Sequence, residues 1–444
     1  ISARSIPTCC STLPLRPSET ESMKTRPLTT MLLGLQIPGI LVIATCLSAS
    51  LDLEAQEWTR FRGPNGTGIS TATGIPSAWD PDSYHFQAKL PGTGLSSPVA
   101  WGDRVFVTSA NIDSGRRHLV CLSLVDGHEI WKQAEPFASH KKHRQNTFAS
   151  STPTVDSKQV YIIWQSQTDS ALLAFRHDGT PAWRIPLGPF KGGHGPATSP
   201  IVHNGTVYLC NDHEGPSFLL AVDAISGHIK WKVPRSGQRA CYSTPCVFNR
   251  IGHGTEIIFV HSYQGIWGVA AESGARNWKI DVFGTFKQRA IASPVVAGDL
   301  VIGSSGFTTA RKNIVAVRPG KNLDEVAEAF RVSQSVPHIP TPLIYQNHMY
   351  LWADIGVVSC VSMKTGKNVW RQRIGGTFFG SPICVDGRLF AIDNKGTVVV
   401  VAASPNYKLL AKNPLGEASQ ATPAVSGGKL LLRTDSRLIA ISNK

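Results

Sequence analysis

The sequence has no C-x-x-C pair and no G-x-S-x-G, H-E-x-x-H or P-loop spacing. Zinc-ribbon, thioredoxin, serine-hydrolase, zinc-protease and nucleotide-binding chemistries are therefore without their sequence marks. Charged residues are scarce at 17%, which excludes a coiled coil, since such chains are about half Ala, Glu, Lys, Leu and Arg. Long apolar runs are also missing. The best, Met31 to Leu47, is interrupted by Gln36 and Pro38 and falls short of the roughly 20 residues a membrane span needs. Acidic residues are few, 30 Asp+Glu against 44 Lys+Arg, for a formal charge of +14. That balance admits an anionic partner or simply a basic, soluble surface.

The apolar run instead suits export. Met23-Lys24-Thr25-Arg26 precedes it and Ser48-Ala49-Ser50 follows it, the pattern of a secretory signal peptide. The expected organisation is an unstructured leader over 1–22, a signal peptide over 23–50, an arm over 51–82 and one domain over 83–444. Thr45 directly before Cys46 makes Cys46 a poor acylation site. The expected location is periplasmic or extracellular, peripheral to a membrane at most. Beyond the leader, Cys121, Cys210, Cys360 and Cys384 fall in apolar strand-like runs that suit buried thiols. Cys241 and Cys246 are close enough in sequence to bridge or to remain free.

What the chain has in abundance is repetition. Ser-Pro or Thr-Pro opens an apolar run at Pro98, Pro153, Pro200, Pro245, Pro294, Pro342, Pro382 and Pro423, a period of roughly 40–55 residues. After each Pro come a short run, a turn and a β-rich run, as in PIVHNGTVYLC. A third run and a Gly turn then lead to Trp and a basic residue, as in LVCLSLVDGHEIWK ending at Trp131–Lys132. Each unit is four short strands, the content of one propeller blade. The fold predicted is all-β, an eight-bladed β-propeller. Its tryptophans should pack between blades. The eighth unit lacks its outer strand, and SYHFQAKLPG at 83–92 resembles the fourth strands of other units. The N-terminus is thus expected to complete the last blade and remove an open edge. In the fifth unit LDEVAEAF reads as a short helical or irregular insert, with Phe330 standing where Trp is expected.

Period, S/T-Pro opening and endings such as VSMKTGKNVWR resemble the PQQ-like, quinoprotein dehydrogenase-type β-propeller repeat family over about residues 83–441. WTRFRGPNGTGIS, Trp58 to Ser70, is similar to the arm before the propeller in secreted bacterial members, and reads as a cap on the propeller or a partner-docking arm. The resemblance implies either a calcium-dependent quinoprotein dehydrogenase or a non-enzymatic propeller, such as the scaffold of the outer-membrane protein assembly machine. Enzymes of the family hold pyrroloquinoline quinone over Ca²⁺ with Glu, Asn and Asp oxygens, and commonly have an adjacent Cys pair. Here the adjacent pair, Cys9-Cys10, lies in the leader. Asn211-Asp212 and Asp393-Asn394 fall at hairpin turns, where such residues serve the backbone. No catalytic or metal-binding residue is therefore assigned. The favoured function is a binding or scaffolding module, and PQQ with calcium belongs to the alternative, an alcohol or polyol dehydrogenase.

Segments entering the innermost strands ring one mouth of a propeller channel. Those upstream of each Pro carry Asn146 and Phe148, His194, Arg239 and Tyr242, Lys287 and Arg289, His338, Phe378 and Phe379, and Gln420. The loop Lys141-Lys142-His143-Arg144 adds charge. This predicts a cationic and aromatic ring without a carboxylate, suited to an anionic or polyhydroxylated ligand, or else a solvated basic rim. An envelope or extracellular protein or an anionic glycan is the expected partner of a monomer. Nucleic acid is not, because the aromatic spacing matches no base-stacking module.

Overall fold

The computed structural model describes residues 57–284, 288–306 and 312–443. The expected leader and signal peptide, Cys46, the first residues of the arm, and Lys287 lie outside the described residues. Eight four-stranded antiparallel blades succeed one another along the chain as an eight-bladed β-propeller. Among the described residues the helical elements are the single 3-10 turns Pro64–Gly66 and Pro81–Ser83.

Every S/T-Pro stands directly before an inner strand, for example Val99–Trp101, Ile201–His203, Leu343–Tyr345 and Ala424–Ser426. Proline is tolerated there because no ladder donor is needed ahead of the strand. From the inner strand each blade zigzags outward. The links into inner strands and the turns between second and third strands therefore share one end of the channel, and the remaining turns share the other. The ring closes as expected: Phe86–Lys89 pairs antiparallel with Arg437–Ile441 and supplies the outer strand of the last blade.

The hydrophobic core lies at the seams. Phe106 and Cys121 of the first blade pack with Val160, Ile162 and Trp164 of the second; Val260 and Ile266 of the fourth pack with Val301 and Val315 of the fifth. Middle strands are covered on both faces, so they read as continuous apolar runs rather than alternating ones. Gln159–Gln165 is buried at every position. All six cysteines of the described residues are buried free thiols, and no bridge joins Cys241 to Cys246.

Two side-chain devices lock most of the seams, and both explain a repeat signature. Near the axis, the residue before the marker proline offers its hydroxyl to the backbone of the preceding blade. Ser97 N donates to Thr152 Oγ1, Thr152 N to Ser199 Oγ, Thr244 N to Ser293 Oγ, Ser293 N to Thr341 Oγ1, Thr341 N to Ser381 Oγ, and Ser381 N to Thr422 Oγ1, all at 2.9–3.0 Å. These groups are buried, where an unmet N–H is costly. Serine or threonine ahead of Pro is the hydroxyl acceptor of this ring.

At the periphery the repeat tryptophan docks on the next blade. Trp131 Nε1 donates to the His177 carbonyl at 2.8 Å, Trp183 to Ala224 at 2.9 Å, Trp231 to Ala271 at 2.9 Å and Trp370 to Ser404 at 3.0 Å. The indoles of Trp131, Trp183 and Trp231 lie on the turn glycines of those blades, Gly179, Gly227 and Gly274, whereas Trp370 meets a turn without glycine and packs edge-on to Tyr407. At Gly227 (φ +76) a Cβ would stand 2.9 Å from Trp183, and at Gly274 (φ +75) 2.8 Å from Trp231. The turn thus needs glycine for its backbone conformation and for the ring above it. Phe330 takes the same place over Gly366, and Phe86 over Gly127 across the closing seam.

Two departures from expectation fall at the same seam. LDEVAEAF is no helical insert: Val326–Val332 is a regular outer strand, paired with Asn313–Pro319. Its blade has a wider turn, Gly320 to Asp324, which no tryptophan covers. Trp278 of the preceding blade is instead turned into its own sheet, donating to Glu256 Oε2 at 2.6 Å. Arg250 takes over the seam, donating to the carbonyls of Leu323 at 2.7 Å and Gly320 at 2.8 Å.

Thr341→Val should remove one hydroxyl and strand the Ser293 N–H, lowering stability by about 1–3 kcal/mol. Thr341→Ser should cost under about 1 kcal/mol, because it keeps the acceptor. Urea denaturation checks both, and equal losses would contradict the role given to the hydroxyl.

Candidate functional site at the channel mouth

The links into the inner strands enclose a cavity of about 460 Å³, within the range of small-ligand sites. It is lined by the seam hydroxyls and, above them, by His143, Arg144, Asn146, His194, Tyr242, Arg289, His338, Phe379 and Gln420. Sequence position alone placed these nine at the mouth, and the structure brings them together.

Other expected members lie elsewhere. Phe378 is fully buried, edge-on to Trp352 with ring centroids 5.6 Å apart. Phe148 packs on Phe137 at 4.9 Å. Lys142 folds back, its Nζ donating to the Asn146 carbonyl at 2.6 Å. Lys141 and Arg239 stand outside the lining. The mouth is therefore less basic than the loop composition suggests.

Carboxylates also approach it from turns between second and third strands, which the reading of the Pro-flanking links did not include. Glu214 stands 3.8 Å from Arg289. Asp354 accepts the His338 N–H at 2.7 Å and the Ile339 N–H at 3.1 Å, and pairs with Lys312 at 3.0 Å. Asp393 is a turn residue as expected, accepting the N–H groups of Lys395 and Thr397. Asn211-Asp212 ends the second strand and opens its turn as expected, but its side chains do not serve the backbone. Asn211 accepts from Gln165 at 2.7 Å, and Asp212 forms a fully buried ion pair with Arg235 at 3.3 Å. The strand-then-Asp-x-Glu spelling of the Asp212 turn was the available signal.

Polarity inside the cavity follows from burial. Arg289 is 3% exposed. Its Nε is buried without a hydrogen-bond partner, and the Tyr242 hydroxyl lies against the guanidinium with no acceptor for its own hydrogen. Burial pushes the Tyr242 phenol up to about 12, against the pull of the neighbouring Arg289 charge. His194 is stacked on His143 at 5.0 Å; burial, then the Arg289 charge, lower its pKa to about 4. Burial also drives His338 well down, with Asp354 opposing. Both imidazoles are thus neutral hydrogen-bonding groups at ordinary pH.

The arm closes the other side. The Ala100 N–H donates to the Trp58 carbonyl, Val155 N–H to Thr59 and Cys384 N–H to Gly68, at 2.9, 2.8 and 2.7 Å. Asn65 exchanges two 2.8 Å bonds with Val247. Because these partners sit on inner strands of the first, second, seventh and fourth blades, the arm must cross the channel. Phe61 is the arm residue that lines the cavity. Arg60 and Arg62 are buried beside it and donate to backbone carbonyls, including those of Pro245 and Pro382. Burial lowers their pKa to about 10 and about 9, so both remain charged at neutral pH.

A family model described as outer membrane protein assembly factor BamB matches residues 60–321 and 311–444. The chain belongs to this BamB-type family of PQQ-like propellers. BamB of Yersinia pestis is 20% identical over 221 residues, 48% of this chain and 53% of that protein; the chain thus spans about half the length of the curated relative it matches. The crystal structure of BamB from Moraxella catarrhalis superposes with a TM-score of 0.56 at 12% identity, covering 84% of this chain and 98% of that one. Quinohemoprotein alcohol dehydrogenase ADHIIG from Pseudomonas putida HK5 gives 0.51 at 11% identity, covering 87% and 80%. These structural likenesses establish the shared fold alone.

The quinone-over-calcium arrangement does not fit this BamB-type cavity. A hard cation of that size takes six to eight oxygens, with carboxylates among them. Among the described residues the lining has no Asp or Glu, and Asp354 behind it is already bound by two N–H groups and Lys312.

Trp58 is fully buried and bridges to Ala100. Trp58→Ala should cost about 3–5 kcal/mol in urea denaturation; a loss under about 1 kcal/mol would show that the arm is not part of the folded ring.

Proposed function

We propose that the protein is a binding or scaffolding module of the cell envelope, exported and without catalytic chemistry, that holds a protein partner. The channel mouth is its ligand-facing site, accepting an anionic or polyhydroxylated group of that partner or of a separate ligand. The observation that carries this reading is the cavity itself, walled by neutral imidazoles and hydroxyls around one buried guanidinium. Such a site concentrates negative charge and lacks a nucleophile paired with a base. Membership of a family described as outer membrane protein assembly factors supports the envelope setting. No helix among the described residues is long and apolar enough to cross a membrane, which agrees with a peripheral module.

A photoreactive residue at Gln420 in the lining should cross-link a discrete partner in intact envelopes. The same residue at Ile251, 98% exposed at the opposite end of the blades, should not give that product. Supply of PQQ and Ca²⁺ should yield no dye reduction with alcohols. Substantial alcohol-dependent reduction would overturn the reading, as would identical cross-links from both positions.

A further inference from the structure

We infer that the cup at the mouth is a receptor for a single carboxylate on an apolar stem, received by Arg289 and Tyr242. This rests on the reading of the cup as the binding site and narrows it to one ligand chemistry. The starting point is a mismatch of donors and acceptors. Thr152, Ser199, Ser293, Thr341, Ser381 and Thr422 all line the cavity. Each hydroxyl oxygen already accepts a backbone N–H at a seam. Each hydroxyl keeps its own hydrogen to give, and no described protein group accepts it. Arg289 Nε, higher in the same wall, is buried without a partner, and the Tyr242 hydroxyl beside that guanidinium has no acceptor for its own hydrogen. Among the described residues the lining is therefore rich in donors and includes no Asp or Glu, with Glu214 approaching Arg289 from outside it.

A ligand that only accepts suits such a surface. A neutral sugar suits it less, since it brings no charge to meet Arg289 and its hydroxyl hydrogens compete for the amide oxygens, imidazole nitrogens and remaining hydroxyl lone pairs of the lining. The charge narrows the choice further. Among the described residues of the lining Arg289 is the one deeply buried cation, paired with Glu214 at 3.8 Å. Its planar fork matches the two oxygens of a carboxylate. A doubly charged phosphate would keep one charge uncompensated in a site where desolvation is costly.

The same lining carries apolar side chains, Phe61, Leu95, Ile291, Ile339 and Phe379. These make a place for hydrocarbon in the cavity that holds the charge. The volume of about 460 Å³ is larger than a bare acetate needs and suits an arylalkyl or branched aliphatic stem. Two sources carry this chemistry: a free apolar acid, and the last residue of a polypeptide whose preceding chain leaves through the open mouth.

Calorimetric titration of the whole protein separates them. The probes are 3-phenylpropionate and its amide, the tripeptide Ala-Ala-Phe as free acid and as C-terminal amide, glucuronate and inorganic phosphate. The acids should bind at least about tenfold more tightly than their amides, glucuronate and phosphate, a loss expected when a charged hydrogen-bonded group is removed. Binding of 3-phenylpropionate alone assigns a free acid; preferential binding of the tripeptide acid assigns a chain terminus. Tyr242→Phe should weaken the acids about fivefold to tenfold without changing amide binding, the effect of one hydrogen bond. Arg289→Gln should abolish the acid preference, and its thermal melt shows whether the ring remains folded. If Arg289→Gln unfolds, Tyr242→Phe decides alone. Amides binding as well as acids, phosphate or glucuronate binding equally, or an unchanged acid affinity in Tyr242→Phe overturns the assignment. Failure of all acids to bind also overturns it, yet leaves cross-linking from Gln420 to a partner standing as a separate result.

Discussion

The bond from the backbone N–H before one inner strand to the Ser or Thr hydroxyl before the next is the constraint on which the molecule rests. It joins two blades at the point where they are closest to the axis, and it is repeated around the channel. A propeller blade has no core of its own, so stability resides in contacts between neighbours. The apolar seams supply most of the free energy, whereas the hydroxyl bonds set the spacing at which those seams meet. The same hydroxyls then form the wall of the cavity. Structure and site are thus one set of residues, and the hydrogen that each hydroxyl has left over gives the cavity its character.

Charge adds the second feature. Arg60, Arg62 and Arg289 are buried near the axis. The first two are met by carbonyls rather than by carboxylates. A guanidinium satisfied by carbonyl dipoles keeps its net charge, and in a poorly polarisable interior that charge is felt over several ångströms. The crossing of the arm places two such cations beneath the floor made by Phe61. The positive excess of the sequence acts here less through the Lys141–Arg144 loop than through arginines that solvent does not reach.

Much of this was legible because repetition makes a local pattern into a global statement. The S/T-Pro marker located the inner strands, and the likeness of residues 83–92 to fourth strands located the closure. Phe330 was seen as a substitute for Trp, though the strand that carries it was not, since Leu323 to Phe330 has the composition of a helix. Pairing with Asn313–Pro319 overrides that local preference. Phe378 and Phe379 could not be told apart because adjacent residues face opposite ways, and only the strand bridge at Phe378 decides which faces the core. The carboxylates Glu214 and Asp354 were missed for a topological reason: turns between second and third strands reach the mouth from outside the repeat marker. The crossing of the arm was illegible, as contacts from Asn65 to Val247 and from Gly68 to Cys384 leave no periodic trace.

The most direct test of a built cup, as against a solvated basic rim, is the protonation of His194 followed by imidazole NMR as a function of pH, with the resonance assigned by comparison with His194→Gln. A cup that buries this ring beside Arg289 predicts a neutral imidazole until the pH falls to about 4. Titration near the ordinary histidine value of about 6.5 would mean that the ring stands in water away from the cation, and would contradict the account.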